Sequence, residues 1–386
     1  AYGSIAGLVA FSAFGLNLLS PRLATLVRTD MPLALVIFLI GLLIWQKIEK
    51  QEEWKPRDRV YLFALLTIAT LIKGPIVYAF LLPGITLFQW HTGRAPPPDA
   101  PLSAWSGWWP WIASLTVFLL WASGGILFQP GFFDEVVMRE FFGRFGETIH
   151  RPQPLYFYLP HLVHKFAPWS VLLIAIAIFD LASRRWKIGA AFRKMSPGTF
   201  WLLCWSLGGL IVMSLIPSKR VDRIFPVIPP LCLLLAAQVS SEVGSLRRPD
   251  GPSRTAWRPY LATGLVFAIF FTGGYATWKV VTGYRDHRDA LAIFGRDLRR
   301  EAEARHWRYE AVSAKHEGLL LYLQKTHYIE PDRAVAEWNV GTLDALVVST
   351  EKAPRLIPQL RGATVSQLKS SDRKKEQGTG YILITR

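Results

Sequence analysis

Nine apolar runs of near-membrane length dominate this chain and restrict what it can fold into. A spanning helix takes roughly 20 mainly apolar residues. Runs of that kind fall at about 2–19, 31–46, 60–72, 75–90, 108–128, 156–179, 199–216, 224–240 and 259–281. Lipid offers the backbone no hydrogen-bond partner, so each run must satisfy its own amides as a helix. The fold class expected is a polytopic α-helical membrane protein of about nine spans. Pro160, Pro168 and Pro217 lie in or beside these runs and should mark kinks or ends. The Ile72-Lys73-Gly74-Pro75 break separates two adjacent runs.

Charge is distributed to match. Of 386 residues, 51% are hydrophobic and 19% charged, with 44 Lys+Arg against 28 Asp+Glu. Residues 282–386 take 18 of the basic and 14 of the acidic ones, leaving 26 and 14 for 1–281. Sparse charge beside long apolar runs excludes a soluble enzyme, a disordered chain and a disulfide scaffold. Cys204 and Cys232 sit inside apolar runs and have no metal-ligand spacing. The basic balance does not point to nucleic acid, because the Lys and Arg cluster between apolar segments rather than on a soluble face. The chain opens Ala-Tyr-Gly-Ser without a cleavage motif and reads as a truncated chain.

Loop charge sets the orientation. The loops 47–59, 91–107, 180–198 and 241–258 carry 15 Lys+Arg, and the alternate loops carry 9. The first set is expected to be cytoplasmic under the positive-inside bias. Two domains follow: a multi-span domain over 1–281, and a soluble α/β domain over 282–386 on the outer side of the membrane, in the periplasm or its equivalent. In the second, Asp286–Arg305 reads as an amphipathic helix. Glu310–Ala314, Ala345–Ser349 and Tyr381–Thr385 read as strands.

Positive charge in an outer loop runs against the insertion bias, which directs attention to three places. Lys219, Arg220 and Arg223 lie within five residues between two spans, a good seat for a phosphate; nonspecific headgroup binding is the bland alternative. Lys73 lies between two apolar runs beside a Gly-Pro helix break. It either faces a cavity or partner, or snorkels to the interface. The segment from Gly131 puts Phe132, Phe133, Val136, Val137 and Phe141 on one stripe of a short interfacial helix. It leads into Arg144, Glu147, His150 and Arg151. Glu147 and His150 could hold a divalent metal ion, or serve only in hydrogen bonding. Asp30 either caps the second long run or has a functional role.

Read together, these stretches resemble the C-type glycosyltransferases, in particular the bacterial branch related to protein O-mannosyltransferases and to the aminoarabinose transferase of lipid A. The matching residues are Thr29-Asp30-Met31-Pro32, Lys73-Gly74-Pro75, Gly143-Arg144-Phe145 with His150, Tyr158-Leu159-Pro160 with Pro168-Trp169, and Ser218-Lys219-Arg220 with Pro226, Pro229 and Pro230. They run in the family's order over about residues 1–240. The resemblance implies transfer of a sugar from a polyprenyl-phosphate carrier, held in the membrane lipid, to a lipid, glycan or protein acceptor on the outer face. It implies that Lys73, Lys219, Arg220, Arg223, Arg144 and His150 bind the donor phosphate. Family members carry an acidic catalytic motif in an outer loop after their first span; Ala1 is expected to begin at what would be the third. That leaves Asp30 as the acidic candidate within the chain. A transporter of lipid-linked sugars would also need outer cations and an apolar groove. It should further show paired broken helices in two halves, and only one Lys-Gly-Pro break occurs. An inactive scaffold is the third reading.

Overall fold

The computed structural model describes residues 3–26, 28–94, 104–142, 153–183, 195–245, 257–285, 289–312, 318–369 and 380–386. Helix forms at every apolar run. In chain order these are α1 (Gly3–Gly15), the short α2 (Ser20–Ala24), α3 (Asp30–Lys50), α4 (Pro56–Lys73), α5 (Ile76–Arg94) and α6 (Trp109–Phe128). Then come α7 (Tyr158–Lys165), α8 (Trp169–Ser183), α9 (Pro197–Leu215), α10 (Ile228–Ser245) and α11 (Trp257–Arg285). Local signals set several starts. Asp58 accepts from the Lys55 amide ahead of Pro56 (3.0 Å), and Ser196 accepts from the Thr199 amide ahead of Pro197 (3.2 Å).

Among the described residues, five stretches are long and apolar enough to cross a membrane: Asp30–Lys50, Trp109–Phe128, Pro197–Leu215, Val221–Ser240 and Arg258–Tyr284. A sixth is the pair Leu155–Lys165 and Trp169–Ala182, bent by 106° at Pro168. By length and composition this is fewer than the nine runs expected. The reasons are local: α1 has 13 residues, α4 carries Arg57, Asp58, Arg59 and Lys73, and α5 ends in the polar run Gln89–Arg94. Pro217 stands just past the end of α9, and Pro160 is tolerated in the first turn of α7. The Phe133–Phe141 stretch is wound as a π-helix, with Phe133, Val136 and Met138 exposed.

The chain divides into two compact units, Ala1–Gly273 and Gly274–Arg386. In the first, α5 and α9 cross with their backbones touching: a Cβ at Gly208 would lie 2.4 Å from the Gly84 nitrogen. Around that crossing pack Trp201 and Trp205, both buried, with the Trp201 indole donating to the Gly41 carbonyl (3.1 Å). Lys47, near the end of α3, pairs with Asp58 in the first turn of α4 (2.6 Å) and with Glu52 (3.2 Å). The two helices therefore run antiparallel. With 21 and 18 residues they rise roughly 30 and 27 Å, at about 1.5 Å per residue. Matched lengths bring the start of α3 and the end of α4 to one end of the bundle.

The second unit holds a four-stranded sheet in the order β1 (Tyr309–Ala311), β2 (Ala345–Ser349), β4 (Tyr381–Thr385), β3 (Thr364–Lys369). β1 and β2 are parallel, and the other pairs are antiparallel. Alternate residues of β2 feed two cores. Ala345 and Val347 pack with Phe294 and Leu298 of α12 (Ala290–Ala304), while Leu346 and Val348 pack with Trp338 of α13 (Pro331–Val340). A sheet covered on both faces explains why every residue of β2 is buried.

Candidate phosphate-binding site

Helix α4 stops because Gly74 adopts φ 74°, its amide still bonded to the Thr70 carbonyl (2.7 Å). That leaves Lys73 as the last helical residue, pointing its ammonium at Asp30. The two form an ion pair, with side chains 16% and 8% exposed. Asp30 is the first residue of α3, and the backbone of Thr29 opens the helix through the Leu33 amide (3.1 Å). No side-chain cap bond forms there; the Asp30 carboxylate is directed to Lys73 instead. Its negative charge still complements the helix N-terminus.

The second element is the stretch after α9. Pro217 ends the helix, and its carbonyl accepts from the Gln153 amide (3.2 Å). Lys219 turns back and donates to the Gln153 carbonyl (2.9 Å). Arg223 donates to the Ser218 carbonyl (2.7 Å), closing the loop on itself. Ser218 is buried, and its hydroxyl has no hydrogen-bond partner among the described residues. Lys219 is only 5% exposed, and no carboxylate among the described residues pairs with it. Burial pushes its pKa below the usual lysine value. Arg220 is exposed.

A 3-10 segment of about two turns, Val221–Val227, follows and packs against α3. Within it Asp222 is buried and forms an ion pair with Arg28, two residues ahead of Asp30. Residues 28–30, at the entry to α3, thus join two groups of side chains that are far apart in sequence. Arg28, Lys73, Lys219, Arg220 and Arg223 are carried on linked elements, where the ion pairs among the described residues use two carboxylates, Asp30 and Asp222. Such a cluster at the end of a bundle can hold an anion such as a phosphate.

Of the residues expected from sequence, Asp30, Lys73, Lys219, Arg220 and Arg223 fall at these two linked elements. Arg144, Glu147 and His150 lie outside the described residues. Among the described residues, no group of three His, Cys, Asp or Glu is placed to hold a metal ion. The sequence reading did not single out Gln153, Asp222 or Arg28. A charged residue of each sign flanking the basic cluster and the Asp30 motif was the available signal.

Fold and site together define a polytopic helical membrane protein with a cationic seat at one end of its bundle. The comparisons with known proteins agree with that class and narrow it. No family model matches the chain. The chain is 32% identical over 169 residues to the undecaprenyl phosphate-alpha-4-amino-4-deoxy-L-arabinose arabinosyl transferase 1 of Sodalis glossinidius (strain morsitans), covering 43% of this chain and 29% of the relative. It is 30% identical over 178 residues to the corresponding transferase of Aeromonas salmonicida (strain A449), covering 45% and 30%. The matched segments therefore span under a third of these relatives' length. Among solved structures, ArnT from Cupriavidus metallidurans bound to undecaprenyl phosphate superposes with TM-score 0.64 at 15% identity, covering 99% of this chain and 79% of that one. Its apo state gives 0.55 at 16% identity, covering 98% and 78%. The chain has the ArnT fold, and its resemblance to the aminoarabinose-transferase branch of the C-type glycosyltransferases holds in both sequence and structure.

Proposed function

We propose that this chain is a membrane glycosyltransferase that takes a sugar from a polyprenyl-phosphate carrier and passes it to an acceptor at the outer face of a bacterial inner membrane. The single observation that carries this reading is Lys219: it is 5% exposed, and among the described residues its ammonium donates to a neutral carbonyl, that of Gln153, and pairs with no carboxylate. Burying a charge without a counter-ion is costly. An anion docking beside Lys219 would relieve that cost, and the cations around it make the anion a phosphate rather than a single carboxylate. The ArnT relative with undecaprenyl phosphate bound supports the same choice of anion.

The chemistry follows from charge. Breaking the sugar–phosphate bond takes the carrier phosphate from one negative charge toward two. Cations fixed in advance stabilise that growing charge more than they stabilise the ground state. Lys73, Lys219, Arg220 and Arg223 are assigned to this task. Arg144 and His150 are assigned to it from their place in the sequence alone. Asp30 holds Lys73 in position as its counter-ion. The reading carries with it an outer location for this end of the bundle and a periplasmic location for the α/β unit. Nine crossings, including the shorter α1, α4 and α5, are part of it. The acceptor is a lipid, glycan or protein with a nucleophilic oxygen; lipid A is the first to try. The test is turnover in reconstituted vesicles: release of polyprenyl phosphate from a polyprenyl-phosphate-linked aminoarabinose donor, with the sugar recovered on lipid A. Absence of both products in folded, donor-supplied protein would contradict the assignment.

A further inference from the structure

We infer that the Arg28–Asp222 ion pair is a positioning device, which holds the Ser218–Arg223 loop in register with Lys73. The inference rests on the phosphate-seat reading above and adds to it a role for two residues, Arg28 and Asp222, that act through the loop. A carboxylate inside an anion seat opposes the anion, and Asp222 sits three residues after Lys219 and next to Arg223. At 7% exposure it is not screened by solvent. A residue that weakens the field of the seat must contribute something else.

The geometry supplies it. Arg28 and Asp222 are 194 residues apart, and their pair ties the loop to the start of α3. Two residues further along, Asp30 ties the same turn to Lys73 at the end of α4. One turn of backbone therefore fixes both sources of positive charge. On its other side the loop is held by Gln153, whose amide reaches Pro217 and whose carbonyl receives Lys219. With both anchors in place, the loop that carries Lys219 and the helix end that carries Lys73 are tied to the same short backbone stretch, residues 28–30. Loss of the Arg28 anchor removes the charged tie at Asp222 and leaves the loop held by Gln153 and by the packing of Val221–Val227 against α3.

The two explanations of Asp222 differ in sign. If only the field mattered, Asp222→Asn would tighten anion binding, because it removes a negative charge, and Arg28→Gln would weaken it. If positioning matters, both variants weaken binding. The experiment measures the affinity of the detergent-purified protein for undecaprenyl phosphate, and KM and kcat for the sugar-linked donor. Asp222→Asn and Arg28→Gln are each expected to raise Kd about tenfold and to lower kcat as the phosphate shifts from its in-line position. The charge-exchanged double variant, Arg28→Asp with Asp222→Arg, is expected to return Kd to within about threefold of wild type. A merely structural pair would change the yield of folded protein without this pattern. Should Asp222→Asn fail to fold, Asp222→Glu and the exchanged pair decide the matter, both being expected to bind as wild type does. Tighter or unchanged binding in folded Asp222→Asn overturns the inference. So does an exchanged pair, or Asp222→Glu, that binds weakly. Wild-type protein that binds no undecaprenyl phosphate overturns the phosphate-seat reading itself, and this inference with it.

Discussion

The carboxylate of Asp30 and the ammonium of Lys73 form an ion pair between the first residue of α3 and the last residue of α4. Both side chains are largely buried, so the charge of each is poorly solvated. Breaking the pair from one side removes a close compensating charge from the other. Asp30→Asn is expected to destabilise the protein by about 3 kcal/mol, and the double variant Asp30→Asn with Lys73→Met to recover most of that loss. Thermal unfolding in detergent checks this; equal losses in the single and double variants would contradict it.

Lys219 gives the site a pH signature with a definite sign. Burial holds its folded pKa below 10.5. Protonated Lys219 costs stability at neutral pH, and that cost is relieved as pH rises from the folded value toward the unfolded one. Anion binding runs the other way, since it needs the charged form. Affinity for undecaprenyl phosphate is expected to fall at a pH below 10.5, while Lys219→Arg holds its affinity through the same range. Titration of binding against pH in both proteins checks this.

In the α/β unit, Asp344 accepts from the Arg308 backbone amide (2.9 Å) and from its guanidinium (3.0 Å). These bonds hold the Asp344 carboxyl below its usual value of 3.8. The stabilisation is complete above that value and is lost as pH falls through the lower folded one. Both groups are partly exposed, so the effect is small. Arg308→Ala should raise the pH at which the β2 amides lose protection from hydrogen exchange. An unchanged acid profile would show that the pair contributes nothing.

The crossing of α5 and α9 tolerates no side chain. Gly208→Ala would place a methyl 2.4 Å from the Gly84 nitrogen, against backbone rather than a movable side chain. A loss of about 1–3 kcal/mol is expected, with the helices forced apart. Gly264→Ala, on an open stretch of α11, serves as the matched control and should change little.

Apolar runs and loop charge made the helices legible, because lipid forces any such run into a helix. They did not fix which runs are long enough to cross, which depends on where polar residues such as Arg57 and Gln89–Arg94 fall within the helix. Strands β2 and β4 read directly from their apolar runs. β3 did not: Thr364–Lys369 is an edge strand with Val365 exposed, so its composition lacks the apolar pattern. At the site, Lys73 and Lys219 stood out as cations in apolar surroundings. Their partners did not, since Asp30–Lys73 spans 43 residues, Lys219–Gln153 spans 66 and Arg28–Asp222 spans 194. Contacts of that range are set by helix packing, which no local pattern encodes.

The central claim is that the seat at Lys219 and Lys73 recognises a polyprenyl phosphate through its charge. The most direct measurement compares undecaprenyl phosphate with undecaprenol, which lacks the phosphate, for binding to wild-type protein and to folded Lys219→Ala. Wild type is expected to prefer the phosphate by at least about tenfold, and Lys219→Ala to lose most of that preference while keeping its affinity for undecaprenol. Equal affinity of the wild type for the two lipids, or a preference left intact in Lys219→Ala, would contradict the account.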